Sequence, residues 1–225
     1  INNCGDVINK WSSNYQTGGA IYFVDDGSLL RTNRVNNSSV FQGGGIGGAF
    51  EKLDWDGNVI WSYAYNSSTY HHHHDIEPLP NGNILILAWE LKTAEEAIAQ
   101  GRDPDLLEDN ELWPEHIVEI EPVGISDANI VWEWHFWDHL VQDFDSELAN
   151  YGIISDYPEL ININYTGPGQ NNSGGPADWM HGNAIDYNQE LDQIIISSKR
   201  LSEFWIIDHS TTSEEAASHS GGNSG

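Results

Sequence analysis

The chain has 225 residues, 39% hydrophobic and 11% aromatic with ten Trp, so it can bury one substantial core and does not read as a disordered segment. Thirty-five Asp and Glu against eight Lys and Arg give a formal net charge of −27. That charge repels phosphate backbones and anionic bilayers, which argues against nucleic acid as a partner and reads chiefly as a solvated coat.

Near the N-terminus, Cys4 is the lone cysteine and excludes an internal disulfide. Residues 20–24 then lead through Asp25-Asp26-Gly27 to residues 28–31, and residues 49–53 lead through Asp54 to Asn58 to residues 59–63. Both read as β-hairpins, because Asp-Gly supplies the positive φ that a two-residue hairpin turn demands. Between them lies Gly43-Gly44-Gly45-Ile46-Gly47-Gly48. It lacks the Lys and following helix of a phosphate cradle, and reads as a flexible connection.

The run His71-His72-His73-His74-Asp75 follows, at the edge of a third hairpin whose turn is Asn81-Gly82 and whose second strand holds the apolar stretch 84–89. On a regular strand alternate rings face opposite ways, so His72 and His74, or His71 and His73, would share a face; in a turn that parity fails. Zinc ligation is a lesser use, since no spacing here matches a closed zinc set. Residues 93–100 read as a short helix, with Thr93 as cap, Glu96 in the capping-box position and Gly101 as the stop. The carboxylates Asp103, Asp105, Glu108, Asp109 and Glu111 leave room for structural calcium, but their spacing departs from an EF-hand and a solvated acidic loop is the default.

A fourth strand pair spans 115–120 and 129–134, followed by Trp137-Asp138-His139. Residues 164–178, rich in Gly, Asn and Pro, form a long loop of the kind that acts as lid or crossing segment. The second histidine segment, Trp179-Met180-His181-Gly182-Asn183, opens a pair over 182–186 and 193–197. The adjacent cations Lys199-Arg200 come next, then a strand at 203–208 and a short helix at 212–217. His116, His135, His209 and His219 are assigned to structure or surface. Asn-X-Ser/Thr triplets begin at Asn36, Asn37, Asn66, Asn164 and Asn171; they matter only if the protein passes through a glycosylating pathway. No run has the length of a membrane span, and no export signal is visible.

Short antiparallel strands in this order predict an all-β protein, and a single β-propeller portion over residues 1–225 in particular. There is material for about three to four blades, with a sandwich or β-helix as the alternative, and the remaining blades would come from the same or another chain.

The ordered set His73-His74-Asp75-Ile76, Leu79-Pro80-Asn81-Gly82-Asn83, Trp113-Pro114-Glu115-His116-Ile117, Val131-Trp132-Glu133-Trp134, Trp137-Asp138-His139-Leu140, His181-Gly182-Asn183-Ala184 and Ile207-Asp208-His209-Ser210 resembles the bacterial arylsulfotransferases, the aryl-sulfate sulfotransferases that use no nucleotide sulfate. The resemblance implies a six-bladed, exported propeller, secreted, periplasmic or on the cell surface. Its central channel moves a sulfuryl group from a phenolic sulfate ester to a phenol through a sulfohistidine. The partners implied are a small aryl sulfate and a phenol, with no cofactor. On this chain it points to His74, His181 and Lys199 as catalytic, and to His73, Asn183, Arg200 and His139 as substrate-binding. Family members carry Arg where Lys199 stands, which leaves Lys199 or Arg200 to face the channel. The nucleophilic His of the family falls in a later blade. The competing reading is a non-catalytic secreted propeller module for binding or surface assembly.

Overall fold

The computed structural model describes residues 1–35, 40–107, 110–166, 177–218 and 221–223. Outside them lie the triplets at Asn36, Asn37 and Asn171, the carboxylates Glu108 and Asp109, residues 167–176 of the long loop, His219, and Ser220, Ser224 and Gly225 of the Gly/Ser-rich end.

The chain is all-β, and its main sheets are antiparallel. Strands β1 (Thr17–Phe23), β2 (Leu29–Arg34), β3 (Gly48–Leu53) and β4 (Val59–Ala64) form a four-stranded meander in that order. A second sheet begins with β5 (Tyr70–Pro78) and β6 (Ile84–Glu90). It is interrupted by the small pair β7 (Lys92–Thr93) and β8 (Glu111–Leu112) around helix α1 (Ala94–Ala99), and ends with β9 (Glu115–Val123) and β10 (Asp127–His135). A short parallel pair, β11 (Leu140–Val141) with β12 (Ile161–Asn162), leads to the three-stranded sheet of β13 (Gly182–Asn188), β14 (Gln193–Ser198) and β15 (Glu203–Asp208), followed by α2 (Ser213–Ala216). No sheet closes on itself among the described residues.

The apolar run of β6 is buried on both faces, and its alternation sorts it between two cores. Ile84, Ile86 and Ala88 join Phe50, Trp61, Tyr65 and Ile76 under the first sheet, while Leu85 and Leu87 join Ile117, Met180, Ile185, Ile194 and Ile196 toward the third. A strand covered on both sides loses its polar positions, which is why 84–89 reads as continuous hydrophobicity. Each such side chain contributes about 1.5–3 kcal/mol by burial. The first strands of the three sheets meet: β5 packs between β1 and β13.

The expected two-residue turns are three-residue loops. Val24, Asp54 and Leu79 each donate their N–H to a carbonyl four residues on and accept one from a glycine three residues on, and Gly27, Gly57 and Gly82 have φ of 82°, 87° and 90°. A type I turn closed by a left-handed glycine absorbs one residue more than the primed turns, so the dipeptide was read correctly for sign of φ but not for loop length. Both predicted helices are present, each with a complete capping box on Thr93 or Thr212. Thr93→Ala is expected to cost about 1 kcal/mol, the usual worth of such a cap; a urea midpoint unchanged from wild type would show the cap idle.

Two of the triplet asparagines are engaged in packing. Asn66 Nδ2 donates to Gly48 O at 2.7 Å, and Asn164 Nδ2 donates to Gly101 O at 2.8 Å. Asp103 accepts from Asp105 N to cap a 3₁₀ turn, and Glu111 accepts from Trp113 Nε1, so these two carboxylates have structural partners. No described helix is long and apolar enough to cross a membrane.

Candidate active site

β5 and β13 bring the two histidine segments together by the same device. In β5 the pairing with β6 slips between His72 and Ile76, and His74 takes a left-handed φ of 52°. In β13 the pairing with β14 slips between Gly182 and Ala184, and His181 just before it has φ 52° as well. Each bulge throws a ring off the strand's alternation. Strand parity therefore fails beyond His72, and the rings of His73 and His74 touch each other instead of facing apart, with centroids 5.2 Å apart. The His74 ring meets the His181 ring edge to face at 4.7 Å.

Glycines make room for this. The Gly43–Gly48 segment is no loose connection where it is described: His74 donates its N–H to Gly45 O, Gly47 donates to His72 O, and Gly48 donates to His72 Nδ1. A Cβ at Gly45 would fall 2.1 Å from the His74 ring, and one at Gly19 would fall 1.8 Å from the His74 carbonyl oxygen.

Behind the two rings lies a buried polar set. Glu115, on β9, is fully buried; its Oε2 is 2.6 Å from His73 Nε2, and its Oε1 accepts the Gly182 N–H. His73 Nδ1 lies 3.0 Å from His74 Nδ1. Asp178 Oδ2 accepts from His181 Nδ1, and Asp178 Oδ1 accepts from Trp89 Nε1 at 3.2 Å. The Trp89 ring stacks on His73 at 3.9 Å. Asp75 faces another way, tying the first strands of all three sheets: it accepts from Tyr22 OH and from the N–H groups of Ile76 and Ile185.

Burial dominates the electrostatics. Loss of water lowers His73 to about 3, and lowers His74 to about 3 with the help of His73, His181 and Lys199. Both rings are therefore neutral at pH 7. Burial, with Asp178, pushes the Glu115 carboxyl well above the usual carboxylate range, against the opposing Gly182 N–H.

The sequence-named residues thus divide. His74 is half-buried, and its Nε2 bonds no described protein group. His181 is 3% exposed. Lys199 is exposed, donates its N–H to His181 O and lies close enough for its charge to act on His74; Arg200 is buried and donates its N–H to Met180 O. Asn183 is exposed at the bulge of β13. His73, read from the resemblance as a substrate contact, is completely buried with both ring nitrogens against protein groups. His139 is not brought to this cluster: its ring stacks on Trp134, and its Nε2 donates to Ala216 O at 2.9 Å. His116 bonds Tyr65 and stacks on His135, and His209 sits between Glu119 and Asp192.

Glu115, Asp178 and Trp89 were not singled out from the sequence. Asp178, three residues before His181, was within reach of a local reading; Glu115 and Trp89 meet the site only through sheet pairing. Among the described residues no group of three or more His, Cys, Asp or Glu side chains is arranged to hold a metal ion.

An imidazole with a free nitrogen, a second imidazole oriented by a carboxylate and a nearby ammonium can donate to anionic oxygens and exchange a proton with a leaving group. Compared with known proteins, residues 5–214 match the family model described as Arylsulfotransferase (ASST). No curated protein matches the chain.

Proposed function

The chain belongs to the arylsulfotransferase family, and on that footing we propose that it moves a sulfuryl group from a phenolic sulfate ester to a phenolic acceptor at the meeting point of β5 and β13. The observation that carries this reading is the convergence of His74 and His181, from separate sheets, to 4.7 Å beside Lys199. Sulfuryl transfer passes through a loose transition state, with charge on the non-bridging oxygens and on the departing phenolate. Fixed donors and a local cation therefore matter more than a strong base. Lys199 supplies positive charge in a molecule whose net charge of −27 would otherwise repel the ester.

In this proposal the sheets are blades of a β-propeller whose inner strands are β1, β5 and β13. The packing of β5 between the other two supports it, as do the exposed apolar positions Ile21 and Phe23 on β1 and Phe204 and Ile206 on β15, where neighbouring blades would rest. The transfer runs through a sulfohistidine whose nucleophile belongs to a further blade, without nucleotide or cofactor, in an exported protein. The natural protein, mixed with 4-nitrophenyl sulfate and phenol but no nucleotide, is expected to release 4-nitrophenol at a rate that depends on phenol and to form phenyl sulfate. No phenol-dependent release would leave the family's fold as a binding scaffold in this protein.

A further inference from the structure

Glu115, His73 and His74 stand in one hydrogen-bonded file that ends at a ring nitrogen no described protein group engages. We propose that this file delivers a proton from the buried Glu115 carboxyl to the phenolate leaving a sulfate ester. The inference rests on the sulfuryl-transfer reading above and assigns Glu115 and His73 a positioning and relay role behind His74.

The separations, 2.6 Å from Glu115 Oε2 to His73 Nε2 and 3.0 Å from His73 Nδ1 to His74 Nδ1, leave two consistent arrangements. If Glu115 is a neutral acid, its O–H donates to His73 Nε2, the His73 Nδ1–H donates to His74 Nδ1, and His74 carries its own proton on Nε2. If Glu115 is ionised, each bond reverses and His74 Nε2 is a bare lone pair. Burial of the whole file favours the first arrangement, with an uncharged acid and two uncharged imidazoles. The other charged groups that face it agree in part. Asp178 and Glu90 hold the Glu115 proton on while His181 opposes them; His181 and Lys199 disfavour an imidazolium at His74 while Asp178 favours it. Trp89, stacked on His73, keeps the middle ring from rotating out of line.

The step balances without a charged intermediate on either ring. The ester S–O bond breaks with its electron pair staying on the phenolic oxygen, which takes the proton from His74 Nε2. His74 Nδ1 takes the proton from His73 Nδ1, and His73 Nε2 takes the proton from Glu115. The resulting carboxylate is held by the Gly182 N–H, and the sulfuryl group is on its acceptor nitrogen. When the second phenol attacks, it gives its proton to His74 Nε2 and the file runs back, restoring the acid.

Glu115→Gln isolates the claim, because an amide can donate to His73 Nε2 and accept from Gly182 yet has no proton to give. In the natural protein it is expected to lower the rate of the first half-reaction, read as the single-turnover burst of phenol from phenyl sulfate with no acceptor added, by about a hundredfold, because that leaving group needs a proton. For 4-nitrophenyl sulfate, whose phenolate departs unaided, the expected change is less than about threefold. Equal losses for the two esters, or none for either, would overturn the relay. Ring ¹⁵N shifts give a readout independent of turnover: at pH 7 the wild type and the variant should both hold the His74 proton on Nε2. A wild-type His74 protonated on Nδ1 would overturn it too, and this measurement decides the matter if the variant does not fold. A wild type that transfers no sulfuryl group sinks the proposed function and leaves the nitrogen shifts to judge the file.

Discussion

His181→Ala is expected to lower kcat/KM for aryl sulfates by about a thousandfold, the upper range for removing one preorganised group that meets developing charge. Two contacts and burial set the size of the effect. Asp178 fixes the proton on His181 Nδ1 and so presents Nε2; the ring packs edge to face on His74; and His181 sits where water is largely excluded. A group that needs no reorganisation acts at full strength in such a place, whereas one in water would be screened. Alanine at a left-handed backbone also carries strain, so His181→Asn is the control: asparagine tolerates φ near 52° and keeps an amide donor. It should recover about tenfold of the loss while melting close to wild type. A loss of only a few fold on His181→Ala, measured as initial rates of 4-nitrophenol release with phenol present, would remove His181 from the chemistry.

Trp89→Ala is expected to cost about 3–5 kcal/mol, the range for emptying a fully buried large aromatic site. The Trp89 ring is wholly buried, lies parallel to Phe41 at 6.0 Å and to His73 at 3.9 Å, and leans on Trp113. Its indole N–H is also one of the bonds that hold Asp178. The hole would open directly behind the site, so the variant should lose turnover even where it remains folded. Trp89→Phe separates the two contributions: the stack persists, the bond to the buried Asp178 carboxylate is lost, and the expected cost falls to about 2 kcal/mol. Urea unfolding of the two variants checks this. Equal midpoints for Ala and Phe would mean that the ring's bulk contributes nothing.

Much of this was legible in the sequence, for identifiable reasons. Hairpins announce themselves locally, by Asp-Gly or Asn-Gly between apolar runs, and every one predicted is present. The strand 203–208 is found as β15 with the same bounds, and β6 betrayed its double burial by lacking polar positions. The two histidine segments were conspicuous because imidazoles seldom stand next to buried strands. What stayed hidden was decided by pairing across sheets. Glu115 lies 42 residues from His73 and 67 from Gly182, so nothing in its neighbourhood marks it as the group that joins them. The bulges at His74 and after His181 were equally invisible, because a register slip depends on what the partner strand offers, and that slip is what set the His74 ring against His73 instead of opposite it. His139 shows the converse: the resemblance put it among the substrate contacts, yet its ring donates to the Ala216 carbonyl of α2.

The left-handed backbone shared by His74 and His181 carries an evolutionary corollary. Residues other than glycine pay about 1 kcal/mol to stand there, although histidine is among the better tolerated. At the half-buried His74 durability and turnover pull in opposite directions, whereas at His181 the bond to the buried Asp178 offsets the strain. Libraries of the protein screened only for survival on heating should therefore drift toward glycine or asparagine at His74 while keeping His181, yielding hardier molecules that have shed their chemistry.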